Sequence, residues 1–173
     1  MYQWRVTKYN PMFRDESGAF KKDEWTSISD IGRTFNGVVL TLNKYLKVED
    51  LYVKTISEFM DSLKISTLSV INIEKPEKPK LNPHFKSIYT PEMIKLFDFT
   101  KEGTKLEIGE LMMISRLALR ENLCCKLWGK YKMFVHFGYD YYMYIGSSSQ
   151  NQSVIQKIKD SGLFIEEFIS PYR

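Results

Sequence analysis

Residues 123–145 contain three short apolar or aromatic segments that are separated by turns containing glycine. The segments are Leu123–Trp128, Met133–Phe137 and Tyr141–Ile145. Runs of this length with short turns between them predict consecutive antiparallel strands, because a tight hairpin can join only antiparallel neighbours. At least part of the fold is therefore an antiparallel sheet.

Helical periodicity occupies other parts of the chain. Within Thr41–Leu63 the apolar residues recur every three or four positions, and the Thr41 hydroxyl can accept a hydrogen bond from the first turn. Thr90, followed by proline, starts a second helix. The broad apolar face of residues 107–121 predicts a third helix, and a shorter one is predicted around residues 154–158.

Further strands are predicted at residues 2–9, 67–73 and 163–169 from alternation and β-branched content. Helices and strands do not alternate regularly, as a doubly wound parallel sheet requires. We therefore predict an α+β fold, in which three to four helices pack on a mixed, mainly antiparallel sheet. We expect residues 1–173 to form a single domain with an exposed connection, rich in proline and lysine, at about residues 74–90.

The composition indicates a soluble cytoplasmic protein without a membrane partner. No run approaches the roughly 20 apolar residues that cross a bilayer, and the first residues lack a basic head followed by an apolar run. Cys124 and Cys125 are sequence neighbours, so a disulfide between them would close a strained ring and constrain no loop. Reduced thiols in a cytosol are expected.

Catalytic and metal-binding patterns are weak. His136 with Asp140 or a cysteine could supply a base and a nucleophile, but no third group is identifiable to orient the imidazole. A zinc site would need His84, His136 and the two cysteines, which lack the usual ligand spacing. We predict no cofactor, no metal and no catalytic residue, and keep an enzyme of unfamiliar type that uses His136 as an alternative.

The net charge of +4 arises from 25 basic and 21 acidic residues that are largely interspersed. A nucleic-acid interface usually carries a strong patch of one sign, so the pattern disfavours nucleic acid as the partner. An RNA-associated role remains an alternative. Its candidate contacts are Lys75, Lys78, Lys80, Arg5, Arg14, Lys130 and Lys132.

Aromatic residues make up 14% of the chain and concentrate in residues 134–145, where both faces of the predicted strands are apolar or aromatic. Either helices cover both faces, or one face is a docking surface rich in tyrosine, a residue type common in interfaces. Some of the tyrosine hydroxyls are expected at the surface. We predict a protein partner whose contacts are Tyr139, Asp140, Tyr141, Tyr142 and Tyr144, followed by Asp23, Glu24, Trp25 and Asp30 of the long loop at residues 10–36.

Several short strings near both ends of the chain resemble small bacterial cytosolic proteins of the toxin-immunity type. The strings are Trp4–Pro11, Asp23–Ser27, Asp30–Gly32, Gly162–Glu166 and Ser170–Tyr172. The resemblance implies a non-enzyme that binds a toxin domain and blocks its active site, and no functional residue is carried over from it. Acidic side chains beside aromatic ones could mimic phosphates toward a basic nuclease cleft.

Overall fold

A computed structural model describes residues 1–172, except for the side chains of Pro83 and His84. The zinc alternative that required His84 therefore involves a side chain outside the described part. The helices are α1 (Leu42–Ser62), α2 (Pro91–Phe99), α3 (Ile108–Leu119) and α4 (Gln152–Asp160). The main strands are β1 (Tyr2–Thr7), β4 (Thr67–Glu74), β5 (Lys105–Glu107), β6 (Cys124–Trp128), β7 (Met133–Phe137), β8 (Met143–Ser147) and β9 (Phe164–Glu167), and β2 (Thr34–Phe35) and β3 (Val38–Val39) form a separate small hairpin.

The seven main strands form one sheet in the order β5-β4-β6-β7-β8-β1-β9. All of the neighbouring pairs are antiparallel, so the predicted α+β class with a mainly antiparallel sheet is confirmed. The predicted meander is β6-β7-β8.

The predicted helix starts are also confirmed. The Thr41 hydroxyl oxygen accepts from the Lys44 N–H at 3.3 Å, and the Thr90 hydroxyl oxygen accepts from the Met93 N–H at 3.2 Å. None of the helices in the described part of the chain has both the length and the apolar character needed to cross a membrane.

The four helices pack on one face of the sheet, which we call the inner face. Val135 and Ile145 are paired across β7 and β8 and lie within the same buried cluster as the apolar residues of all four helices. Because side chains alternate along a strand, Phe134, His136 and Tyr144 belong to the opposite, outer face. These three side chains are nevertheless buried.

The cover on the outer face is the segment Phe168–Tyr172, which we call the C-terminal segment. The sequence predicts a strand through Ile169, but β9 ends at Glu167 and the chain then crosses the outer face. The Phe168 N–H donates to the Gln3 carbonyl at 3.1 Å, and the Ser170 N–H donates to the Gln3 side-chain oxygen at 3.0 Å. The segment thus covers part of the face that helices leave open.

The long loop predicted at residues 10–36 contains short elements. They are the 3₁₀ turns at Pro11–Phe13 and Ile28–Asp30, and the strand pair β2 and β3 begins within the same segment. The sequence analysis also missed β5, which is only three residues long and leads directly into α3. Such short elements carry too few residues for a periodic signal.

The connection at residues 74–90 carries exposed side chains at Pro76, Glu77 and Lys78, and its two ends are anchored. The Lys75 ammonium donates to the carbonyls of Phe97 and Asp98 at the end of α2, where a cation is favourable.

A buried ion pair fixes α1 against the end of α3. The Glu49 side chain is fully buried, and its two carboxylate oxygens accept from Arg120 at 2.6 and 2.7 Å. Arg116 donates to the same carboxylate at 2.8 Å. A third nitrogen of Arg120 donates to the Ile88 carbonyl at 2.7 Å, so the pair also holds the chain that precedes α2.

Glu49→Ala should lower the free energy of unfolding by about 3 to 5 kcal/mol, because it leaves the Arg120 guanidinium buried without its counter-ion. Asp50→Ala is the matched control: Asp50 pairs with Arg116, but its side chain is 62% exposed. The control should cost less than about 1 kcal/mol. Chemical denaturation of both variants measures the difference, and equal losses would contradict the assigned role of Glu49.

Candidate functional site

The two sets of residues predicted to bind a partner meet at one end of the sheet. The Tyr9 hydroxyl lies 3.1 Å from the Trp25 carbonyl oxygen in the long loop and 2.7 Å from the Asp140 carbonyl oxygen in the turn between β7 and β8. These two carbonyl groups are 115 positions apart in sequence, so tertiary packing alone brings them together.

Four of the predicted contact residues are enclosed, which corrects the expectation that they offer contact area. Trp25 and Tyr141 are buried because their rings pack 4.9 Å apart and both contact the Tyr45 ring of α1. Tyr144 is buried beneath the C-terminal segment. Asp30 is the fourth and has a local structural role.

Asp30 organises the long loop from inside. One of its carboxylate oxygens accepts from the backbone N–H groups of Thr26 and Ser27 at 2.8 and 3.2 Å. Its other oxygen accepts from Arg33 at 2.8 Å. This pattern caps the 3₁₀ turn at Ile28–Asp30 and leaves the carboxylate unable to meet a partner without breaking the cap.

The remaining predicted residues are accessible to a partner. Tyr139 is 84% exposed, the side chains of Asp23 and Asp140 are exposed, and Tyr142 and Glu24 are half-buried. We call these five residues the aromatic–acidic surface.

The turn that carries this surface is fixed by several hydrogen bonds. The Gly138 N–H donates to the Tyr142 carbonyl at 2.8 Å, and the Tyr142 N–H donates to the Tyr139 carbonyl at 3.1 Å. The Tyr139 N–H donates to the Tyr172 hydroxyl oxygen at 3.3 Å. Tyr139 therefore projects from an ordered backbone, which lowers the entropy lost when a partner binds.

A row of aromatic rings continues from this surface across the outer face. Four of its eight members were not predicted from the sequence as part of the docking surface: Tyr9, Phe20, Phe168 and Tyr172. Centroid distances between successive rings are 4.9 Å for Phe20 and Tyr9, 5.2 Å for Tyr9 and Tyr142, 5.9 Å for Phe168 and Tyr144, 5.7 Å for Tyr144 and Tyr172, and 4.3 Å for His136 and Phe134. The Arg5 guanidinium links two parts of the row, since it lies 5.3 Å from the Tyr142 centroid and 4.1 Å from the Phe168 centroid.

Three basic side chains at this end of the sheet have internal acidic partners. Glu166 accepts from Arg5 at 3.1 Å and from Arg14 at 2.6 and 2.8 Å. The Lys8 ammonium lies 3.4 Å from Glu24, a separation that forms an ion pair without good hydrogen-bond geometry. Burial between aromatic rings lowers the pKa of Lys8 to about 8, although Glu24 opposes this effect.

Two acidic side chains at this end of the sheet, in contrast, are unpaired in the described part of the chain. Within residues 1–172, Asp23 and Asp140 form no ion pair. Burial raises the pKa of Glu121, and the negative charges of Asp30 and Asp140 raise it further, while Lys80 opposes them. The whole chain has a net charge of +4, and Asp23 and Asp140 contribute negative charge, unpaired among the described residues, at this end of the sheet.

The structure gives His136 a partner that the sequence analysis did not consider. The His136 Nδ1 atom lies 2.7 Å from the Ser170 hydroxyl oxygen. Burial lowers the pKa of His136 to about 4, and the nearby Lys126 lowers it further, so the imidazole is neutral at pH 7. No local signal in the sequence links Ser170 to a histidine 34 positions away.

The structure places the two neighbouring cysteines in different environments. Cys125 is buried and faces the inner core, where burial raises the pKa of its thiol to about 12, so it is not an available nucleophile. Cys124 is exposed at the start of β6. Across the described residues, no group of three or more histidine, cysteine, aspartate or glutamate side chains is placed to hold a metal ion.

Comparisons of the chain with protein-family models, curated proteins and solved structures find no match. The geometry of the outer face and of the aromatic–acidic surface is therefore the basis for inferring a function.

Tyr52 and Tyr141, two buried tyrosines beneath this surface, differ in hydrogen bonding. Removing the hydroxyl group of each should therefore change the free energy of unfolding by different amounts. The Tyr52 hydroxyl accepts from the Lys8 N–H and donates to the Tyr141 carbonyl, both at 2.8 Å. The buried Tyr141 hydroxyl interacts with the Tyr45 hydroxyl, but no partner among the described residues meets hydrogen-bond geometry. Tyr52→Phe should therefore cost about 1 to 3 kcal/mol, whereas Tyr141→Phe should be neutral or stabilising by up to about 1 kcal/mol.

Thermal or chemical unfolding of these two variants provides the measurement. Both changes remove one hydroxyl from rings that lie 5.0 Å apart, so each variant controls for the other. A larger loss for Tyr141→Phe than for Tyr52→Phe would contradict the hydrogen-bond assignment.

Proposed function

We propose that this protein binds another protein through the aromatic–acidic surface, and that it neutralises a toxin domain by occluding that domain's active site. The observation that carries the proposal is Tyr139, a large side chain that is 84% exposed on a turn fixed by hydrogen bonds. Exposed aromatic residues on rigid backbone are typical of the anchors that dominate binding energy.

Charge supports a basic partner surface. Asp23 and Asp140 are unpaired within residues 1–172, while Arg5, Arg14 and Lys8 are each paired with a glutamate. An acidic rim around an aromatic anchor favours a positively charged partner, because complementary charge speeds association and disfavours wrong partners. The active-site cleft of a nuclease is one surface with this charge, since it must bind phosphates.

The two alternatives from the sequence gain no comparable support. Three of the cations proposed to contact RNA are already occupied: Arg5 and Arg14 by Glu166, and Lys75 by carbonyls of α2. For an enzyme that uses His136, the structure offers Ser170 as the neighbour, and among described residues no carboxylate hydrogen-bonds to the imidazole to orient it.

Tyr139→Ala should weaken partner binding by at least about thirtyfold, the loss expected when a central aromatic anchor is truncated. Tyr131→Ala is a matched control, because Tyr131 is 87% exposed in the turn at the opposite end of β7. The measurement is affinity capture from the native cell, followed by titration of the captured protein with each variant.

Support requires two results. Wild type and Tyr131→Ala must capture the same protein while Tyr139→Ala loses it, and the captured protein must have a toxic or hydrolytic activity that an equimolar amount of wild type abolishes. Equal capture by all three forms would show that the surface is misassigned. Capture of a protein whose activity is unaffected would refute the inhibitor role while leaving the binding surface intact.

Asp140→Asn should reduce the association rate constant and its dependence on salt, and leave the dissociation rate constant nearly unchanged, because Asp140 lies at the exposed rim. Glu107→Gln, an exposed acid at the far edge of the sheet in β5, is the control and should change neither rate. Stopped-flow or surface-plasmon measurements at two salt concentrations distinguish these outcomes. An association rate that is insensitive to both Asp140→Asn and salt would argue against a basic partner.

A further inference from the structure

The C-terminal segment is held on the outer face by contacts that centre on one titratable side chain. Ser170 places its hydroxyl 2.7 Å from His136 Nδ1, and the Tyr172 N–H donates to the same hydroxyl oxygen at 3.3 Å. The Tyr172 ring contacts both His136 and Tyr144. The neighbouring Ile169 is 78% exposed, so the segment adds little apolar burial at that position.

The hydrogen bonds suit the neutral imidazole. The Ser170 hydroxyl accepts from Tyr172 and can donate its single hydrogen to His136 Nδ1. A protonated imidazole would donate from Nδ1 to the second lone pair of the Ser170 oxygen, and the Ser170 hydrogen would have to turn to another acceptor.

The charges around His136 also disfavour its protonation. Lys126 lies opposite it on β6, and Tyr144 lies opposite it on β8, with Arg5 beyond Tyr144 on β1. Tyr172 faces it from the C-terminal segment. Glu166 on β9 is three strands away and is engaged by Arg5 and Arg14, so no carboxylate among the described residues offsets a positive charge at His136.

We propose that the C-terminal segment is a latch that acid opens by protonating His136, and that opening uncovers His136 and Tyr144 on the outer face. This inference is independent of the proposed partner, because it concerns only the chain's own segment and sheet.

The direction of the pH dependence follows from linkage. Burial lowers the pKa of His136 from 6.5 to about 4 in the closed form, so the open form binds more protons between these values. The closed form is fully favoured above pH 6.5 and loses stability as the pH falls toward 4. Between pH 7 and pH 5 the ratio of closed to open molecules should fall by about twentyfold.

Hydrogen exchange of two backbone amides measures how often the latch opens. The Phe168 and Ser170 N–H groups both bond to Gln3, so both become free when the segment leaves. Their protection, corrected for the intrinsic effect of pH on exchange, should fall by about twentyfold between pH 7 and pH 5. The Val135 and Ile145 amides in the central strands serve as internal controls, and their protection should not fall over this pH range.

His136→Gln is the decisive variant, since its amide can still bond to Ser170 but does not titrate in this range. Its protection should be the same at both pH values. If this variant does not fold, the proton NMR titration of wild type gives the same test, because the chain has only two histidines. An NMR titration midpoint of the His136 ring near pH 6.5 would overturn the proposal. So would a loss of amide protection between pH 7 and pH 5 in His136→Gln that equals the loss in wild type.

Discussion

Side chains alternate between the two faces of a strand, and in this protein the four helices cover only the inner face of a seven-stranded antiparallel sheet. The residues on the outer face must then either be polar or find another cover. This chain uses aromatic residues and a short segment that follows the last strand, with His136 and Ser170 at its centre. Because helices cover only the inner face, the outer face carries a row of aromatic rings, and the aromatic–acidic surface beside this row stays accessible.

The same arrangement explains why one end of the sheet differs from the other. At the end that carries Tyr139, hydroxyl groups of buried tyrosines bond to carbonyls of the long loop and of the β7–β8 turn. These bonds join segments that are distant in sequence and order the backbone beneath the exposed ring. Arg5, Arg14 and Lys8 have internal acidic partners, whereas Asp23 and Asp140 near the exposed ring form no ion pair within residues 1–172.

Local patterns predicted the fold well where an element was long or capped. The periodicity of α1 and the threonine caps of α1 and α2 were sufficient, and the glycine-bounded apolar runs predicted the meander. Burial within the candidate site was not predictable in the same way. Tyr139 and Tyr141 are two positions apart and equally aromatic, yet one projects into solvent and the other fills a gap beside α1. Only tertiary contacts decide between these environments, and the same is true of the pairing of His136 with Ser170.

The most direct test of the central claim is the hydrogen-exchange footprint of the complex with the captured partner. The account predicts slower exchange at residues 138–142 and 23–25, which carry the aromatic–acidic surface, and unchanged exchange at residues 129–132, at the other end of β7. Slower exchange confined to residues 129–132 or to the exposed faces of the helices would show that the partner binds elsewhere, and would contradict the account.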